Sequence, residues 1–155
     1  MNRSVKRAGA HRRPAYFAIL ISAMLLVSCY SSNYRREMLA SVSLVSQLSD
    51  KLADYGRADF IVDRHPLSSE EMGEFYYGLK KARAFEQMTS KRRGSEASAK
   101  TFTQLVDAYE NFIRDADQYR LNPSHTHDQL EQLSKDYDLV KQRADEVRRA
   151  LNTEP

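Results

Sequence analysis

Cys29 carries the one thiol of the chain, and beyond it His65, His125 and His127 are the histidines that could take part in metal or acid–base chemistry. A lone cysteine has no partner for an internal disulfide. Without a CxxC, or a Cys/His pair at ligand spacing, there is also no zinc or haem-attachment motif. His125 and His127 are two residues apart, which does not put both imidazoles on one helical face. The run His125, Thr126, His127, Asp128 instead falls where polar residues cap a helix start. Met38 with His125 or His127 would supply the atoms of an axial haem pair but no motif, and a methionine on an apolar seam reads as core. No metal and no cofactor are expected. The carboxylates are spread along helix surfaces beside basic residues, as in Glu131 with Lys135 and Asp145 with Arg149, worth a few tenths of a kcal/mol each. No nucleophile sits beside a base and no glycine-rich loop could cradle a phosphate, so no catalytic residue is assigned and the chain reads as a non-enzyme.

The thiol acquires a role from what precedes it. Residues 15 to 27 read AYFAILISAMLLV, free of charge, behind a leader that holds Arg3, Lys6, Arg7, Arg12, Arg13 and then Pro14. That is the layout of a secretory signal, and it is well short of the roughly 20 apolar residues of a membrane-spanning helix. The run closes on Leu26, Val27, Ser28 and Cys29, which resembles the lipobox of bacterial lipoproteins; the resemblance covers residues 1 to 29 only. It implies cleavage between Ser28 and Cys29, with Ser28 small enough for a peptidase pocket and the Cys29 thiol taking a diacylglyceryl group. At about 0.8 kcal/mol per buried CH₂, one acyl chain binds reversibly and two or three hold stably. The expected residence is therefore the cell envelope, lipid-anchored. In a Gram-negative source the periplasmic face of the outer membrane is expected, because Tyr30 is not the aspartate that resembles an inner-membrane retention signal. The inner or plasma membrane is the alternative.

The formal charge of +3 points the same way. Five of the 24 Lys and Arg precede Cys29 and none of the 21 Asp and Glu does, so 19 basic residues remain against 21 acidic ones. The basic character belongs to the leader, and no nucleic-acid partner is expected.

The elements that must carry any further function follow from apolar periodicity. Tyr34, Met38, Ser41, Val45, Leu48, Leu52 and Tyr55 recur at steps of four and three, predicting a helix over 34–55 ended by Gly56. Ser68 with Glu71 matches a capping box and opens a second helix through Met88, with Met72, Phe75, Leu79, Ala82 and Phe85 inward. Lys91 to Gly94 stop it, and Ser95 caps a third helix whose Phe102, Leu105, Val106, Tyr109, Phe112, Ile113 and Ala116 make the widest apolar face. After Leu121, Asn122 and Pro123, either Ser124 or Thr126 starts a fourth, with Leu130, Leu133, Tyr137, Val140, Ala144, Val147 and Leu151 in heptad order. Short connections between long helices predict an all-α, four-helix up-and-down bundle over residues 34–152, after a signal at 1–28 and a tether at 29–33. A three-helix core or an elongated coiled-coil hairpin is the alternative.

Two places on this framework are candidate contacts for a protein partner in the envelope. Phe60, Ile61 and Val62 lie in the longest connection and are too apolar for a solvated loop, so they cap the bundle or dock on a partner. Lys80, Lys81, Arg83, Lys91, Arg92 and Arg93 collect toward the end of the second helix, where they complement its dipole or meet lipid phosphates or an acidic partner. Tyr77 is about 200° from Phe75 around that helix and is predicted to be exposed beside Lys80 and Lys81. A different function, binding of a small ligand or cofactor, would place Phe75, Tyr76, Phe102, Tyr109 and Phe112 around a cavity.

Overall fold

The computed structural model describes residues 33–55, 67–90, 96–122 and 126–153. The chain divides into two units, Met1–Glu37 and Met38–Pro155. In the first, residues 33–37 are helical and Tyr34 is buried. The second is a four-helix bundle with no strand among the described residues. Its helices are α1, the part of helix 33–55 from Met38 onward, α2 (Ser69–Thr89), α3 (Glu96–Leu121) and α4 (His127–Thr153).

Local signals set the helix starts. Ser68 takes the backbone N–H of Glu71 on its hydroxyl at 3.1 Å, while the Glu71 carboxylate accepts the Ser68 N–H at 2.8 Å, so the predicted capping box is present. The Ser68 N–H, together with the Ser68 hydroxyl that also donates to this carboxylate at 2.9 Å, holds the Glu71 carboxyl below its ordinary pKa. The choice of start for α4 resolves in favour of Thr126. Its hydroxyl accepts from Gln129 N at 3.3 Å and its N–H donates to the Gln129 side chain at 3.1 Å, a second reciprocal cap. Gly56, Gly94, Ser95, Pro123 and Ser124 lie outside the described residues.

Side-chain pairs between neighbouring helices fix the topology. Tyr55 meets Glu71, Lys51 meets Glu74, and Leu48 lies against Gly78, so residue numbers rise on α1 as they fall on α2. Between α2 and α3 the pairs are Tyr76 with Asp117, Arg83 with Asp107, and Phe85 with Phe102. From α3 to α4, Phe112 meets Tyr137, and α4 returns to α1 through Tyr137 with Asp50 and Arg148 with Ser46. Each helix therefore runs antiparallel to both neighbours, and the ring closes. Because α4 reaches back to α1, the three-helix and hairpin alternatives do not hold. The Arg120 guanidinium donates to the Leu67 carbonyl at 3.3 Å, tying the segment ahead of α2 to the end of α3.

The core follows the predicted faces most closely on α3, where all seven named residues are buried together with Ser98, Ala108 and Tyr119. On α1 the stripe is displaced. Val42 is fully buried and Ser41 only half-buried, so the inward line runs Met38, Val42, Val45, Ser49 and Leu52, with Leu48 beside it. Ser49 satisfies its hydroxyl on the Val45 carbonyl at 2.8 Å and so tolerates the interior. On α2, Leu79 is half-buried and Gly78 is buried in its place, because a Cβ at 78 would run into Leu48 Cδ1. Glycine here admits close approach of α1 despite its cost of about 1 kcal/mol in a helix. On α4, Leu130, Leu133 and Tyr137 are half-buried, and the apolar seam is fully buried only from Val140 onward.

Candidate functional site

Four of the residues assigned roles from sequence, Ser28, Cys29, Phe60 and Ile61, lie outside the described residues, as do Val62, His65, Lys91, Arg92, Arg93 and His125. The other three, Tyr77, Lys80 and Lys81, are all on the outer face of α2. Tyr77 is 59 % exposed, and the Lys81 ammonium lies 4.6 Å from the centre of its ring, a cation–π contact between residues one turn apart. Lys80 is also exposed. Among the described residues neither lysine is within ion-pair distance of a carboxylate, whereas Lys51 and Lys135 are held by Glu74 and Glu131.

Arg83 does not belong to that cluster. Its guanidinium turns the other way, onto α3, and is held by Glu86 at 2.8 Å, Asp107 at 2.7 Å and Glu110. Partial burial works against its charge, but the hydrogen bonds to Glu110, Glu86 and Asp107 outweigh that and raise its pKa. The position is legible in retrospect, since residue 83 is about 240° from Tyr77 around the helix. Grouping the basic residues by sequence proximity obscured it.

The aromatic residues considered for a ligand cavity are distributed through the core. Phe75 meets Tyr55 edge-on at 6.5 Å, Phe102 meets Phe85 edge-on at 5.4 Å, and Phe112 lies 6.0 Å from Tyr137. Tyr109 is fully buried and donates its hydroxyl to the Phe75 carbonyl at 3.3 Å; burial first, and the charge of Glu74 second, push its phenol above the ordinary range. Tyr76 faces outward, 43 % exposed, with its hydroxyl on Asp117 at 3.3 Å. Of the surface pairs, Glu131 holds Lys135 as predicted at 2.7 Å. Asp145 instead takes Arg148 at 2.7 Å, while Arg149 reaches only the Asp145 carbonyl.

A site that sequence periodicity passed over lies between α3 and α4. Asp136 is buried beside the seam, with Oδ1 accepting from Gln132 Nε2 at 2.9 Å and Oδ2 without a donor. Its neighbour is the Asp115 carboxylate, which Arg114 approaches at 3.5 Å. Two carboxylates in contact satisfy each other only when one is protonated. Burial first, then the hydrogen bond and charge of Asp115, hold the Asp136 carboxyl above its ordinary pKa, against Gln132 and Arg114. Because the folded chain binds this proton more tightly than the unfolded one, the pair's contribution is complete below the ordinary aspartate pKa of about 3.9. It is lost as pH rises through the higher folded value. Asp136→Asn supplies the missing donor, and we expect it to stabilise the domain by about 1–2 kcal/mol at neutral pH. The gain should shrink toward zero by pH ~4. Urea denaturation at the two pH values checks this, and an equal gain at both would mean that no proton is shared.

Among the described residues, no group of three or more His, Cys, Asp or Glu is placed to hold a metal ion, and no helix is long and apolar enough to cross a membrane. No protein-family model, curated protein or solved structure matches the chain.

Proposed function

We propose that this protein is a lipid-anchored envelope lipoprotein whose helical bundle serves as a non-enzymatic scaffold, adaptor or complex subunit. The observation that carries the reading is the place of Cys29. The one thiol closes a charge-free run behind a basic leader, four positions ahead of residue 33, the first described residue and already helical. Lipid on Cys29 would keep the folded part of the chain tethered at the membrane. The exposed face of α2 and the apolar segment Phe60 to Val62 supply contact surface for envelope components; Phe60 and Ile61 are the segment's candidate contacts.

The native N-terminus tests the anchor. Mass spectrometry of protein taken from its own membranes should show a chain that begins at a lipid-modified Cys29, and Cys29→Ser should leave the membrane-processed pool. A mature chain starting elsewhere, or a serine variant that is still processed and membrane-bound, overturns the reading. Crosslinking in intact cells then identifies the envelope component bound to the bundle, and a loss of crosslinks in Phe60→Ser/Ile61→Ser with unchanged stability would assign that segment to the contact.

A further inference from the structure

We propose that the outer face of α2 docks on anionic lipid headgroups, laying the bundle along the membrane to which Cys29 tethers it; this rests on the lipoprotein reading for its tether. Gly73, Tyr77, Lys80, Lys81, Ala84 and Met88 are all exposed and lie within about 60° of one line along the helix. Tyr77 and Met88 are 59 % and 67 % exposed. Glu74, the carboxylate at the margin of this strip, is committed to Lys51. Glu70, one turn before Gly73 and exposed on the same side, bounds the strip at its N-terminal end, so from Gly73 to Met88 the strip is cationic and apolar.

That combination matches a headgroup layer. A tyrosine ring places its apolar body toward the acyl chains and its hydroxyl in water, and lysine stems lie along the same surface with their ammonium groups at the phosphates. The strip is shallow, following one helix for about 22 Å from Gly73 to Met88. It would press against a flat layer, and each lysine near an anionic leaflet shifts partitioning by about fivefold.

The tether brings the strip within reach. Pairing of Lys51 with Glu74 and of Leu48 with Gly78 sets the antiparallel register of α1 and α2, and extending it places Met88 level with Met38. Met38 is nine residues from Cys29, at most about 30 Å of extended chain. A chain of that length keeps the Met88 end of the strip within reach of a surface to which Cys29 is bound.

The chain contains no tryptophan, so Tyr77→Trp makes the face its own reporter. Leu139→Trp on α4, diagonal to α2 in the ring and 37 % exposed, is the control. Mature protein carrying either substitution is purified from membranes and reconstituted into vesicles of phosphatidylcholine with or without phosphatidylglycerol, with brominated acyl chains. Emission at 77 should shift to the blue and fall about twofold in the anionic vesicles only, and that at 139 should not change. Adding Lys80→Gln and Lys81→Gln should return the emission at 77 to its neutral-lipid value, with far-UV circular dichroism confirming that the helices persist. Emission at 77 that ignores lipid charge, or equal quenching at 77 and 139, overturns the proposal; the first result leaves the face to an acidic protein. The mass of the N-terminal peptide from the same preparation reports the anchor separately, and if no lipid is found there the comparison of the two vesicle types still decides the face.

Discussion

Val140→Asp is expected to destabilise the domain by about 4 kcal/mol, a large share of the roughly 5–15 kcal/mol that holds a domain folded. Val140 is 0 % exposed in the middle of α4, at the point where that helix becomes fully buried. An aspartate there loses its water without gaining a partner, and the hole left by the missing methyls adds to the cost. The same substitution at Leu133, two turns earlier on the same seam, is expected to cost only about 1 kcal/mol. Leu133 is half-buried, so its replacement can turn the carboxylate toward solvent. Urea melts of the two variants without the first 28 residues check the contrast. Equal losses would mean that α4 is buried uniformly along its length, and no loss at Val140 would remove α4 from the core.

Phe102→Ala should cost about 3–5 kcal/mol. Phe102 is 0 % exposed near the start of α3, where its ring meets Phe85 of α2 edge-on with centroids 5.4 Å apart. Truncation removes the transfer energy of the ring and leaves a void between α2 and α3 beside Phe85. A double-mutant cycle with Phe85→Leu isolates the ring pair, for which a coupling of about 0.5–1.5 kcal/mol is expected. A coupling near zero would mean that the two rings contribute only as buried area. A loss below about 1 kcal/mol for Phe102→Ala would show that the α2–α3 interface is not packed around this ring.

Much of this architecture is legible in the sequence, for reasons that are local. A helix repeats every 3.6 residues, so Phe102, Leu105, Tyr109, Phe112 and Ala116 mark the buried side of α3 wherever its neighbours stand. Ser68 with Glu71 and Thr126 with Gln129 bond within one turn, so the starts of α2 and α4 need no tertiary partner. The exposure of Tyr77 follows equally from its angle to the buried Phe75.

Other features depend on which helix comes alongside, and periodicity carries no information about that. Ser41 and Val42 are both within the inward arc of α1, and packing between two neighbours rather than one selected the valine. Gly78 reads as a weak point in a helix until Leu48 occupies the space a side chain would take. Arg83 reads as one more surface cation until Asp107 and Glu110 of α3 draw it out of the basic face that Tyr77, Lys80 and Lys81 keep. Asp136 reads as a solvated carboxylate beside the heptad seam, and only the approach of Asp115 from α3 makes it a buried acid short of a donor. The sequence by itself determined four amphipathic helices and the caps that open α2 and α4, since each rests on contacts within a few residues. The close approach at Gly78, the partners of Arg83 and the burial of Asp136 beside Asp115 were decided by the tertiary structure, because each is a relation between residues that only the closed ring of helices brings together.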